Sequence, residues 1–182
     1  MNHSGKADVA YPLECEWCIS PSASDIEVRA AEDGDCIVST LVVVPPKDST
    51  VAEHSGRLVT KRTRLRFEAA GWVRLCPSYS DRETIEPGRF DFSNVPFHDA
   101  FLTAEQTNFS TTFNLHDHEY KAWVATGICP NPGVYEIKNS TWLAQSGAIR
   151  CGCKDYGIEG REMLVEILAQ QLHLEPLWIG IK

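Results

Sequence analysis

The strongest regularity in the chain is a period of two. From Leu58 to Phe67 the residues alternate, with Val59, Leu65 and Phe67 on one side and Thr60, Arg62, Arg64 and Arg66 on the other. A β-strand with one buried face requires this pattern. Trp72 to Cys76 alternates in the same way. A three-residue loop, Ala69-Ala70-Gly71, joins the two into a hairpin with Phe67 opposite Val73, Leu65 opposite Leu75 and Arg66 opposite Arg74, because loops of two or four residues mix apolar and cationic positions on each face. Gly71 is the residue expected to take the left-handed conformation in that loop. Upstream, Ile26 to Ala30 and Cys36 to Val44 are rich in Val, Ile and Thr and flank Glu32-Asp33-Gly34-Asp35, which reads as another hairpin. Cys36 to Val44 is nearly apolar on both faces, as in a strand central to its sheet. Pro45 and Pro46 end it, and Lys47 to Gly56 reads as a polar loop.

Further strands are expected near Phe90 to Phe92, inside a turn-rich surface excursion from Pro77 to Asp99, and at Phe109 to Leu115, Tyr120 to Cys129 and Val134 to Lys138. The last two flank Pro130-Asn131-Pro132-Gly133, a hairpin turn by composition. The period then changes. From Glu159 to Leu172, Leu164, Ile167, Leu168 and Leu172 form one stripe, with Arg161, Glu162, Glu166 and Gln170 available to face water, which predicts an amphipathic helix over 159–172. Pro176 stops it, and the apolar residues 177–181 read as a last strand or a strap over the core. Residues 1–12 are polar and aperiodic, a flexible arm, and 13–182 form a single β-rich domain. The predicted fold is mainly β, an antiparallel β-sandwich or jelly-roll-like domain with one C-terminal amphipathic α-helix packed on a sheet face or across an open end.

Composition narrows the function. With 43% hydrophobic and 23% charged residues in 182, the chain is globular rather than disordered. A net charge of −8 argues against a nucleic-acid partner. No apolar run approaches the roughly 18 residues of a membrane span, and Met1 to Ala10 lacks the apolar core of a signal peptide, so the expected location is the cytoplasm. The seven cysteines, an odd number outside a short secreted scaffold, do not read as a disulfide framework.

Three constellations carry candidate chemistry. Arg62, Arg64, Arg66 and Arg74 would share one sheet face, where guanidinium groups suit an anionic ligand or an acidic protein partner. The competing reading is a solvated face whose charges pair with neighbouring acidic strands, such as the one carrying Glu27. In Asn114-Leu115-His116-Asp117-His118-Glu119-Tyr120, an extended chain places His116 and His118 on one face, as two ligands of one metal ion would be. The segment resembles the His-x-His opening of cupins, metal-dependent jelly rolls, and the resemblance implies a metal-dependent enzyme or sensor. It covers about seven residues, and the family's spaced carboxylate and later His lack counterparts. The alternative is a polar turn between strands. Finally, Cys15 and Cys18 with Cys151 and Cys153 offer four thiolates for a structural zinc or another divalent transition metal, while Cys36, Cys76 and Cys129 read as small core residues. Buried thiols without a metal are the plainer account of all seven. No catalytic signature stands out, and the expectation is a non-catalytic binding or interaction module that needs no cofactor. A cupin-like metal enzyme and a zinc-stapled domain are the alternatives.

Overall fold

The computed structural model describes residues 8–21, 24–45, 58–77, 90–96, 103–107, 110–114, 117–160 and 163–178. Within them the chain forms β1 (Asp8–Pro12), β2 (Cys18–Ile19), β3 (Glu27–Ala30), β4 (Cys36–Val44), β5 (Val59–Glu68), β6 (Trp72–Pro77), β7 (Phe90–Asp91), β8 (Thr103–Thr107) and β9 (Ser110–Asn114). There follow α1 (Asp117–Thr126), β10 (Val134–Lys138), α2 (Thr141–Ser146), β11 (Lys154–Glu159), β12 (Met163–Ala169) and β13 (Gln171–Leu174). The protein is mainly β. One sheet has the order β6-β12-β11-β10-β1-β7, the other β13-β5-β4-β2 with β3 also paired to β4, and β8 and β9 form a separate two-stranded sheet. Among the described residues no helix is long and apolar enough to cross a membrane.

Strand pleating explains the core. Val38, Val42, Leu65 and Phe67 of the second sheet meet Tyr156, Ile158, Val165 and Ile167 of the first in one cluster. Two threonines sit among them, fully buried, and both are satisfied by connecting segments: Thr40 Oγ1 donates to Ser24 O at 2.7 Å and Thr63 Oγ1 to Glu175 O at 3.0 Å. The first sheet is covered on its other face as well. Phe90 and Val95 pack there with Ala10, Tyr135, Ile137 and Leu164, and α2 brings Trp142 and Leu143 to Leu168 and Cys153.

The expected hairpin of β3 and β4 forms, with Ala30 opposite Cys36, Ala31 N–H donating to Asp35 O at 2.8 Å and Gly34 at φ +86° in the turn. β4 is central, between β5 on one edge and β2 and β3 on the other. The second expected hairpin does not form. β5 pairs with β4 and β13, whereas β6 joins the other sheet beside β12, so Val73 lies opposite Ile167 and Arg74 opposite Glu166. Ala69 at φ +49°, not Gly71, takes the left-handed conformation where the chain leaves β5. The pattern at Val73 and Leu75 is met equally well by the apolar side of β12, and the pairing found avoids facing Arg66 with Arg74.

The helix expected over 159–172 is instead the end of β11, all of β12 and the start of β13. Met163–Ala169 is buried on both faces, including Glu166 at 0% exposure, where an amphipathic helix would turn that residue to water. A seven-residue stretch with six apolar positions, Val165 and Ile167 among them, fits a doubly covered strand. Arg161 and Glu162 lie outside the described residues. The converse error occurs at 120–129, expected as a strand and found largely within α1. Tyr120 and Trp123, three apart, are the buried positions over 120–126, and Gly127 at φ +70° with its N–H on Trp123 O ends it. Structure also begins earlier than expected, because Asp8–Pro12 is a strand between β10 and β7 with Ala10 fully buried; residues 1–7 lie outside the described ones. Phe90, Phe92 and Val95 pack on the first sheet, so those positions of the predicted surface excursion join the core, while 78–89 and 97–99 lie outside the described residues, as does the whole 47–56 loop. Trp178 exchanges two backbone hydrogen bonds with Arg62, which makes residues 175–178 a strap along the second sheet.

Gly133 combines a left-handed backbone with close neighbours. Its φ is +76°, and a Cβ there would stand 3.2 Å from both the Glu159 carbonyl oxygen and Ile19 Cβ. Gly34 has a similar φ with nothing within 4 Å. Gly133→Ala is therefore expected to destabilise the protein by about 1–3 kcal/mol and more than Gly34→Ala does, which denaturant midpoints of the two variants will compare. Equal losses would show that strain alone, without crowding, governs the junction.

Candidate functional site

The structure separates the four arginines. Arg62, Arg64 and Arg66 alternate along β5 with buried Thr63 and Leu65, so they share the solvent face of the second sheet, while Arg74 stands in the first. Each of the three has an acidic neighbour. Arg62 is bonded to Asp25, Arg64 lies 4.0 Å from Glu175 and stacks over Trp178 at 4.9 Å, and Arg66 reaches Asp35 at 2.6 Å and Asp33 at 2.9 Å. The Arg66 hydrogen bond, with a second from the Ala69 N–H, holds the Asp35 carboxyl below its usual range. Glu27 is engaged by Arg29 rather than by β5. On this face the three arginines stand among acidic side chains.

The histidine pair and the cysteine quartet fare differently. His116 lies outside the described residues, and His118 belongs to the first turn of α1. Cys151 is exposed at the end of a 3-10 turn, and Cys153 packs with Ala148 and Leu168. The residue brought to Cys18 is Cys129, which shares a buried cluster with it. None of the seven cysteines is in a disulfide.

The most unusual chemistry is a cluster that the periodicity hid. On the outer face of the first sheet, Arg74 of β6 donates through Nε to Glu166 of β12 at 2.8 Å and lies over the Trp142 ring at 4.0 Å. Asp155 of β11, 1% exposed, accepts from Ser140 Oγ at 2.5 Å, and its Oδ1 finds no hydrogen-bond partner among the described residues. Asp8 of β1 accepts from Thr141 N at 2.9 Å and Thr141 Oγ1 at 2.8 Å. Ser140 caps α2 by accepting from Leu143 N. Three carboxylates thus stand near one guanidinium. Burial pushes Asp155 up to about 7, with the charges of Glu166 and Asp8 adding to it against Ser140 and Arg74. Burial also pushes Glu166 up to about 7, against the opposing Arg74 charge and hydrogen bond.

Only Glu166 offered a sequence signal for this cluster, as the one charged position in an apolar run. The cluster can store a proton and lock α2 to the sheet. Glu166 at 0% exposure and Asp155 at 1% are too enclosed to touch a substrate.

Beside this cluster lies an edge. β6 pairs with β12 alone among the described strands, and Trp72, Val73 and Leu75 remain 40%, 42% and 56% exposed. Compared with protein-family models, curated proteins and solved structures, the chain finds no match.

The carboxylate cluster makes stability depend on pH with a defined sign. Asp155 and Glu166 hold their protons more tightly when folded, so their contribution is complete below about pH 4 and is lost as pH rises through about 7. Asp155→Asn keeps an acceptor for Ser140 and removes the charge. It is expected to raise Tm over the parent at about pH 8, by roughly 2–4 °C per kcal/mol gained, and to change little at about pH 5. A Tm difference independent of pH, measured by scanning calorimetry, would show that Asp155 is not the titrating group.

Proposed function

We propose that this mainly-β chain, taken as a sandwich-like domain, is a non-catalytic binding module that engages an extended segment of a partner polypeptide along β6. The observation that carries the reading is the contrast among sheet edges. β7 and β2 are two residues long, β3 carries Glu27 and Arg29, and β13 carries Gln171 and His173, the last within 3.0 Å of Glu68. Short or charged edges resist pairing with another chain. β6 is six residues long and apolar at Trp72, Val73 and Leu75.

An edge strand offers backbone donors and acceptors at strand spacing, and alternate side chains set the preference. Val73 and Leu75, two apart, call for apolar residues at alternate positions of the partner. Arg74 is engaged by Glu166, so an acidic partner is not required. The enclosure of the carboxylate cluster supports the non-catalytic part of the reading.

The test uses a phage-displayed random peptide library selected on the wild-type protein and counter-selected on Val73→Lys/Leu75→Lys. Enrichment of peptides with alternating apolar residues, bound at least about tenfold more tightly by wild type than by a variant of unchanged Tm, is the expected outcome. Equal recovery on both proteins would end the proposal.

A further inference from the structure

The two cysteines that flank Gly152 are neighbours in unlike surroundings. Of the seven cysteines, all among the described residues, only Cys151 is exposed, whereas Cys153 is 7% exposed and packs with Ala148 and Leu168. The backbone fixes both sides of the turn between them. Gly152 N–H donates to Ile149 O at 3.1 Å, Cys153 N–H to Ala148 O at 3.3 Å, and Gln170 Nε2 to the Cys151 carbonyl at 3.0 Å.

Gly152 sets the distance. It closes the 3-10 turn Ala148–Cys151 at φ +75° and ψ +15°, a left-handed conformation that glycine adopts without a Cβ penalty. With standard bond lengths and angles, those dihedrals bring the α-carbons of Cys151 and Cys153 to about 5.5 Å, inside the roughly 4.4–6.8 Å that a disulfide spans. In an extended Cys-Gly-Cys the same atoms would stand about 6.6–7.2 Å apart, at or past that limit. The turn therefore presents one open thiol and one enclosed thiol at bonding range.

We propose that Cys151 and Cys153 are a thiol–disulfide pair, oxidised by a small peptide disulfide of the glutathione class. Exposed Arg150, next to Cys151, gives the entry a positive charge for a peptide that carries carboxylates. Burial raises the Cys153 thiol above its ordinary range, which leaves the first attack to Cys151. Cys151 loses its proton to solvent and attacks one sulfur of the peptide disulfide, so a mixed disulfide forms and the first peptide thiolate leaves. Cys153 then gives its proton to solvent and attacks Cys151 Sγ, which closes the bond between them and expels the second peptide thiolate. Two protein thiols are oxidised, one peptide disulfide is reduced to two thiols, and the leaving thiolates take up the two protons. The closed bond draws Cys153 from Ala148 and Leu168, a cluster that Trp142 and Leu143 of α2 border, so α2 is the element that senses the change.

The experiment holds the full chain, purified in reduced form, in glutathione at about ten oxidised to one reduced, then alkylates the remaining thiols and maps them by mass spectrometry. A Cys151–Cys153 bond in most chains is expected, with amide exchange over 141–146 faster than in the reduced protein. Cys153→Ala should instead retain glutathione on Cys151, at least about tenfold more than wild type holds, and Cys151→Ser should leave Cys153 reduced. The bond is mapped on the wild-type protein, so the result stands even where a variant fails to fold. Glutathione that stays on wild-type Cys151, both thiols remaining reduced, or a bond from either one to another cysteine would overturn the proposal. Equal exchange over 141–146 in the two forms would overturn its coupling to α2.

Discussion

Covering both faces of the six-stranded sheet forces the carboxylate buried at its centre to be answered from within. Glu166 lies near the middle of β12, fully buried, and its answer is Arg74 on the neighbouring strand. Removing Arg74 would leave the fully buried Glu166 carboxyl without its guanidinium, a costly arrangement, so the two strands are held in one register. The rest of that face is organised around the pair. Trp142 of α2 covers the guanidinium, Ser140 starts α2 while bonding Asp155, and Asp8 binds the first residue of α2 from β1. Four strands and a helix therefore share one polar cluster, which positions a short helix that has few buried contacts of its own.

Much of the strand content was legible because pleating repeats every two residues. The β3–β4 hairpin was legible for a further reason: a turn with Gly34 can close it locally. Pairing between elements that do not touch in sequence was less so. β5 and β6 have matching patterns and a short connection, and hydrophobic matching alone joins them. Charge is the discriminating term, since the hairpin would face Arg66 with Arg74, whereas the strands found beside them offer His173 and Ile37 to Arg66 and Glu166 to Arg74. Glu166 could not be used that way while Glu159 to Leu172 read as a helix. A seven-residue stretch apolar at six positions satisfies both periods, and the error at one segment concealed the partner of the other.

The candidate sites show the same dependence on distant pairing. Cys15 and Cys18 were visible as a pair, but the cysteine brought to Cys18 is Cys129, through a backbone bond from its N–H to Cys15 O. The arginines of β5 were correctly placed on one face, and their acidic neighbours come from three separate segments, at Asp25, at Asp33 and Asp35, and at Glu175. A face that looks cationic along one strand is balanced across the fold.

The buried pair also shapes the surface. An edge strand is commonly guarded by a charged residue that repels another chain's backbone or side chains. The one charged residue of β6 is Arg74, and it is turned over the sheet to Glu166 and Trp142 instead of standing guard. What remains along the edge is Trp72, Val73 and Leu75. The interaction that makes a buried carboxylate tolerable at the centre of the sheet thus leaves its longest edge apolar and open to pairing, so the internal electrostatics and the proposed binding surface follow from the same side chain.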